Sequence, residues 1–233
     1  MQVAILAGGM ATRLGPLTKE APKSLIHIRG KPFLQYQLEL LKKGGVEDIV
    51  LCIGHLGERI EKHFGDGKEF GIHIEYSYDG DKLLGTAGAL KNAERLLEDE
   101  FIVMYGDSYL FLDFSAVASY FRKLDKLGLM VVYKNTDRYD KSNVVIDGNL
   151  VKEYNKKVKS KDMVYIDYGA SVLRKEALKL VPQNQPYSLE ELFSQLIGRK
   201  QLLAYEVDRR FYQIGSLDGL HEFEKYISGK ARQ

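Results

Sequence analysis

Four apolar residues, Val3-Ala4-Ile5-Leu6, run unbroken into Ala7 and the paired glycines Gly8-Gly9. No other feature so narrows the folds open to this chain. A short apolar run bounded by glycine has no polar face to show to water, so it reads as a strand covered on both sides, as in a parallel sheet. Glycines at its end let backbone amides approach a ligand with no side chain between. Converging amides make a cradle for anionic oxygen. Arg13 follows with a planar fork of donors that matches phosphate, and Lys23, after Pro22, adds a mobile point charge. The pattern is neither of the two common phosphate loops. It lacks G-x-x-x-x-G-K-S/T, and glycines at 8, 9 and 15 do not spell G-x-G-x-x-G. Gly8-Gly9 alone reads better as a turn after an edge strand. Joined to Thr12-Arg13-Leu14 and Pro22-Lys23, it reads as a phosphate-binding loop.

The rest of the chain alternates apolar runs with helical patterns, which argues for α/β architecture. Helices are expected over 33–43, 56–64, 86–97, 115–126, 189–197 and 217–227, and strands over 49–53, 72–76, 101–105, 129–133, 164–173 and 202–207. Asp147-Gly148-Asn149 between Val144-Val145-Ile146 and Leu150-Val151 predicts a hairpin. No composition break marks a second domain. One domain over 1–233 is expected, with a nucleotide-binding half at 1–134 and a second half at 135–233 that mixes hairpins with helices. No hexapeptide repeat follows residue 200, so no terminal β-helix is expected.

Composition excludes several classes. A net charge of +2 with no long basic run argues against a nucleic-acid binder. Lys156-Lys157 and Lys159 to Lys161 form a local basic cluster, read as a solvated loop. The single Cys52 excludes an internal disulfide and suits a reducing, cytoplasmic compartment. It lies in the apolar run 49–53, which makes it a buried small side chain rather than a nucleophile. No signal peptide is expected, since strand-like residues begin after Met1, and no stretch approaches membrane length.

Three further segments carry chemistry. Leu84-Gly85-Thr86-Ala87-Gly88-Ala89-Leu90 is glycine-rich and opens a helix; its glycines let a flat ring lie against the backbone, although the same residues also make an ordinary helix start. Tyr105-Gly106-Asp107 ends a core strand. A carboxylate there faces the ligand crevice of a parallel sheet and suits magnesium, which takes one or two carboxylates plus phosphate oxygens; a turn aspartate is the plainer alternative. In Tyr165-Ile166-Asp167-Tyr168-Gly169, Asp167 offers two acceptors for hydroxyl groups, or is a strand-edge aspartate, and Asn143 is a weaker site of the same type.

Ala7-Gly8-Gly9-Met10-Ala11-Thr12-Arg13-Leu14 with Pro22-Lys23 resembles the signature of the sugar-phosphate nucleotidylyltransferases, and the resemblance extends over nearly the whole chain. It implies a Rossmann-like nucleotidyltransferase fold, with a mixed, mostly parallel central sheet flanked by helices. It also implies transfer of a nucleoside monophosphate from an NTP to a sugar 1-phosphate, with release of pyrophosphate. Leu6, Ala7, Gly8, Gly9 and Thr12 would cradle the nucleotide, and Gly85, Thr86 and Gly88 would flank its base. Arg13 would hold the leaving pyrophosphate and Lys23 the charge at the α-phosphate. Asn143, Asp167 and Gly169 would meet the sugar, and Asp107 with the residue at Gln213 would hold Mg2+. Catalysis would then be positioning and charge neutralisation.

Three departures from the family pattern stand out. Ala11 replaces a third glycine. Asn155-Lys156-Lys157 replaces Glu-Lys-Pro. Gln213, in Phe211-Tyr212-Gln213-Ile214-Gly215-Ser216, replaces the second metal carboxylate. Gln213 leaves three readings open: a neutral ligand beside Asp107, substitution by Asp208, or a site that binds nucleotide poorly. The compact form and the 211–216 segment look closest to enzymes that activate heptose or mannose 1-phosphates with GTP, which feed cell-surface polysaccharide. Uridylyl- and thymidylyltransferases, a choline-phosphate cytidylyltransferase and a non-catalytic nucleotide sensor are the alternatives. Oligomeric state is not legible.

Overall fold

The computed structural model describes residues 1–9, 21–80 and 82–229. Thr12 and Arg13, and the Ala11 departure, lie outside the described residues. In chain order the main elements are β1 (Gln2–Leu6), α1 (Phe33–Lys43), β2 (Asp48–Ile53), α2 (Gly57–Phe64), β3 (His73–Tyr78), α3 (Gly85–Asn92), β4 (Glu100–Tyr105), α4 (Phe114–Arg122), β5 (Gly128–Lys134), β6 (Val144–Asp147), β7 (Leu150–Tyr154), β8 (Tyr165–Arg174), α5 (Leu189–Gly198), β9 (Leu202–Val207) and α6 (Leu217–Ile227).

Among the described residues, nine strands form one sheet in the order β3-β2-β1-β4-β8-β5-β9-β7-β6. The first four run parallel. β8 enters antiparallel between β4 and β5, β9 lies parallel to β5, and the β6–β7 hairpin closes the edge. The sheet is thus parallel in its first half and mixed in its second, as the sequence predicts. The hairpin turns at Asp147-Gly148-Asn149, where Gly148 has φ +58°.

Alternation along β1 explains the two layers. Val3 and Ile5 point to one face, where they meet Leu34, Leu38 and Leu41 of α1 and Phe114, Val117 and Phe121 of α4. Ala4 points to the other, with Val50, Val103, Leu90 of α3 and Phe193 and Leu196 of α5. Each such buried side chain stabilises the fold by roughly 1.5–3 kcal/mol. A smaller aromatic cluster, Phe33, Tyr212 and Phe223, seats α6 against the start of α1. Among the described residues no helix is long and apolar enough to cross a membrane.

Two expectations need correction. The helix expected over 86–97 ends at Asn92, where Ala93 leads into turns closed by the Leu96 N–H to Ala93 carbonyl bond. The helix expected over 115–126 runs Phe114–Arg122: the Asp113 side chain caps the Ala116 N–H at 2.9 Å at its start, and it ends four residues early, with Lys123 as its cap.

Candidate active site

The strand order reverses between β1 and β4: the chain goes outward from β1 through β2 to β3, then returns to β4 on the other side. A crevice opens at the carboxyl ends of such a pair. A cavity of about 340 Å³ lies there, lined by Leu6, Ala7, Gly8, Gly9, Lys23 and Asp107 among others. The loops pass very close to one another. A Cβ on Gly106 would lie 2.7 Å from the Leu6 carbonyl, and one on Gly8 would lie 3.1 Å from the Gly54 nitrogen. Glycine is needed at these places for room rather than for positive φ.

Lys23 begins a short turn after Pro22, and its Nζ lies 2.5 Å from Asp107 Oδ2. The chain brings Gln213 to the same place through a two-residue antiparallel ribbon, in which Gln213 faces Ser108, and the Ile214 N–H donates to the Asp107 carbonyl at 2.9 Å. A Cβ on Gly215 would sit 2.6 Å from Gln213 Oε1 and 3.3 Å from both Asp107 Oδ2 and Lys23 Nζ. Lys23, Asp107 and Gln213 therefore converge on one point. The Gln213 amide is itself held: its oxygen accepts from the Gly215 N–H, and its nitrogen donates to Ser216 Oγ at 3.1 Å.

This donor set fits a magnesium ion that draws most of its oxygens from phosphate and water, with one carboxylate and one amide oxygen from the chain. Among the described residues no three acids, histidines or cysteines cluster to hold a metal by themselves. Asp208, the alternative acid, does not line this cavity. It lines a separate groove of about 1140 Å³, with Tyr109 and Arg209.

The glycine-rich segment opens α3 at the wall of the cavity. Gly85 and Thr86 line the cavity, and Gly88 does not. A Cβ on Gly88 would lie 2.9 Å from the Gln185 carbonyl, and one on Gly85 (φ +72°) 2.8 Å from the Tyr187 carbonyl. Thr86 Oγ1 accepts the Leu189 N–H at 2.7 Å, at the first turn of α5. The glycines make room for the 185–187 backbone, and Thr86 ties α3 to α5.

Asp167 is also committed within the protein. Its side chain is 5% exposed. Oδ2 accepts from Tyr154 at 2.9 Å and Tyr105 at 3.4 Å, and Oδ1 from the Gly169 N–H at 3.0 Å. Asn143 Oδ1 accepts the Asp167 N–H at 2.9 Å, and Gly169, with φ +96°, packs beside Ser108 Oγ. The three expected sugar residues are brought together, but as a hydrogen-bonded node around an irregularity in β8 and outside the cavity lining. Asp167 does accept two hydroxyl hydrogen bonds, but from Tyr154 and Tyr105 of the protein itself.

Two polar residues escaped the sequence reading. Lys156, read as solvated, sits 3.3 Å from the Tyr105 hydroxyl and 3.7 Å from Asp167 Oδ2, and over the Tyr105 ring that lines the cavity. Asp79 lines the cavity just past β3, its Oδ2 accepting the Leu84 N–H at 3.2 Å. Burial raises its carboxyl above the ordinary range. Its position at the carboxyl edge of a parallel strand was the available signal. Cys52, also in the wall, is buried as expected, and burial with Asp79 nearby pushes its thiol up to about 12.

The sequence matches the profile of the family described as "Nucleotidyl transferase" over residues 2–229. It is 30% identical to D-glycero-alpha-D-manno-heptose 1-phosphate guanylyltransferase of Campylobacter jejuni, covering 96% of this chain and 98% of the relative. It is also 30% identical to UTP--glucose-1-phosphate uridylyltransferase of Synechocystis sp., covering 93% of this chain but 61% of that protein, so the chain spans about three-fifths of that relative's length. HddC from Yersinia pseudotuberculosis, solved with GMP-PN, superposes with a TM-score of 0.80 at 26% identity, covering 97% of this chain and 99% of that one.

Proposed function

Because the chain belongs to the nucleotidyl transferase family, we propose that it joins a nucleoside monophosphate from an NTP to a sugar 1-phosphate. A sugar-phosphate oxygen attacks the α-phosphorus, the bond to the β-phosphate oxygen breaks, and its electron pair leaves with pyrophosphate. No general base is required, because the attacking phosphate is already ionised. The observation that carries the reading is that Lys23, Asp107 and Gly215 line the cavity at the β1/β4 crevice, with the Gln213 amide oxygen hydrogen-bonded to the Gly215 N–H and the Lys23, Asp107 and Gln213 side chains all close to Gly215. Lys23 exchanges its Asp107 partner for the α-phosphate and holds charge as it develops there. Arg13 grips the leaving pyrophosphate, and the 6–9 backbone cradles the nucleotide. Asp107 and the Gln213 amide oxygen would hold Mg2+, which would supply charge neutralisation for the phosphates. Lys156 beside Tyr105 places a cation where the sugar phosphate enters. Asn143, Asp167 and Gly169 shape that end from behind.

Heptose or mannose 1-phosphate with GTP is the preferred pair, supported by the end-to-end match with the Campylobacter relative. The reading makes the chain one nucleotidyltransferase domain, acts in the cytoplasm, and feeds cell-surface polysaccharide. Magnesium-dependent pyrophosphate release across a grid of nucleoside triphosphates and sugar 1-phosphates tests it. Release in one cell that disappears in Lys23→Ala supports it; silence in every cell overturns it. The locked Gln213 amide favours one second reading, a nucleotide-binding protein without turnover. Nucleotide binding with no release, and release gained in Gln213→Asp, would distinguish it.

A further inference from the structure

The buried stripe of α1 is apolar at Phe33, Leu34, Leu38 and Leu41, but it carries one polar residue, Gln37, which is 0% exposed. A buried amide costs stability unless its donors and its acceptor are met. Gln37 meets only the first demand. Its Nε2 donates to the Tyr105 carbonyl at 3.0 Å and to the Ser108 carbonyl at 2.7 Å, 68 and 71 residues away along the chain. Its Oε1 has no hydrogen-bond partner among the described residues. The same is true of Ser24 Oγ, on the residue after Lys23. The two orphaned oxygens thus belong to a neighbour of Lys23 and to a residue that holds the turn of Asp107. A leucine at position 37 would fill the stripe and leave no orphan, so helix packing does not explain the glutamine.

The two Gln37 bonds span a turn. Tyr105 is the last residue of β4, and Ser108 opens the ribbon with Gln213. Between them the Gly106 N–H donates to the Leu6 carbonyl of β1 at 2.9 Å, and the Asp107 carbonyl accepts the Ile214 N–H at 2.9 Å. Each residue from 105 to 108 therefore gives one backbone group to α1, to β1 or to the 211–216 segment, and Gln37 takes both ends. Gln37 does not line the cavity, so it acts through the turn and not by touching a ligand. We infer that Gln37 is a positioning residue for Asp107, fixing the turn from which the carboxylate meets the metal. The inference rests on the nucleotide-transfer reading above and adds a residue to it. Magnesium demands near-ideal octahedral geometry at short distances. A carboxylate on a loose turn is ordered at the expense of binding, whereas one on a clamped turn is ordered when the chain folds. Gln213 brings no charge to the ion, which leaves the electrostatic share to Asp107.

Two variants test this. Gln37→Met keeps the length of the side chain and removes its donors. Leu38→Val trims the neighbouring core residue, 1% exposed, and leaves the bonds of the turn in place. Each protein is titrated with GTP, UTP, CTP, ATP and dTTP without sugar phosphate, and the tightest nucleotide is followed over a series of Mg2+ concentrations. Gln37→Met is expected to raise the Mg2+ concentration at the midpoint of the effect on nucleotide affinity by about ten-fold, while affinity in EDTA changes by less than about three-fold. Leu38→Val is expected to move neither. The inference is overturned if Gln37→Met leaves the midpoint in place, if Leu38→Val shifts it as far, or if Mg2+ has no effect on nucleotide affinity in the unmodified chain. Amide exchange of the unmodified chain needs no variant: the Gly106 and Ile214 amides are expected to exchange as slowly as those of β4. Exchange at the rate of the 136–141 loop would mean that the turn is not clamped, and would equally overturn the inference. Pyrophosphate release on the same samples separates the two levels. A shifted midpoint with no release on any sugar phosphate upholds Gln37 and overturns transfer. Release with an unmoved midpoint overturns Gln37 and leaves transfer intact.

Discussion

Lys23 and Asp107 satisfy each other at 2.5 Å with both side chains largely shielded, so substituting either leaves the other charge short of a partner. The consequence for activity is sharper than for binding. A donor that meets charge only as it develops in the transition state typically contributes about 100- to 1000-fold to turnover. Lys23→Ala is accordingly expected to lower kcat by about 100-fold or more while nucleotide Kd rises less than about ten-fold. Equal losses in both would make Lys23 a binding residue only. Asp79 makes a different prediction, about stability. Burial raises its folded-state pKa above the unfolded value, so the folded chain binds the extra proton and its stability falls as pH rises through that interval. Asp79→Asn, which carries no charge, is expected to raise the melting temperature of the nucleotide-free protein by about 1–3 °C at neutral pH and to flatten its dependence on pH below that. A lower melting temperature at neutral pH would contradict it.

At the scale of elements, α3 and α5 are fastened together by features that run against local preference. Alanine is the better helix former by roughly 0.5–1 kcal/mol, yet Gly88 lies inside α3 with the Gln185 carbonyl 2.9 Å from where a Cβ would stand. Gly88→Ala is therefore expected to lower the melting temperature by several degrees despite the gain in propensity, and thermal unfolding of that single variant decides the matter. The same elements show what the sequence made legible. Phe33–Lys43, Leu202–Val207 and Leu217–Ile227 carry clear periodicity between turn signals and form as expected. β1 with its glycine loop, and Asp107 at the end of β4, were legible for the same reason: the chemistry is local. What was not legible depends on distant pairing. Nothing local to Tyr212-Gln213 announces its ribbon with Ser108–Tyr109. Nothing local to Lys156 shows that Tyr105 and Asp167 lie within reach. Nor does anything local to Gly88 show the Gln185 backbone beside it, because a glycine serving a ligand and one serving a neighbouring backbone look alike in one dimension.

At the scale of the molecule, the sheet does not divide where the chain does. β8 belongs to the second half by sequence, yet it lies between β4 and β5, which belong to the first. β5 has both of its neighbours, β8 and β9, in the second half. A fragment of residues 1–134 would keep β3-β2-β1-β4 but leave β4 with one bare edge and β5 with no partner at all. It would also uncover Leu129, Met130, Val131 and Val132, which are fully buried in the whole chain. An exposed strand of that composition is a template for aggregation rather than a stable edge. The complete chain is expected to unfold in a single calorimetric transition, with van't Hoff and calorimetric enthalpies in agreement. The 1–134 fragment is expected to show no cooperative transition and to associate at micromolar concentration. Two resolved transitions, or a monomeric fragment that melts cooperatively and binds GTP, would mean that the nucleotide half is an autonomous unit and that β8 is an accessory to it. Interleaving has a functional side as well. β4 carries Asp107 at its carboxyl end, while β8 carries Asp167 toward the Tyr105 side of the cavity. Asp107 and Asp167 are thus mounted on adjacent strands of one sheet, and their separation is fixed by backbone pairing.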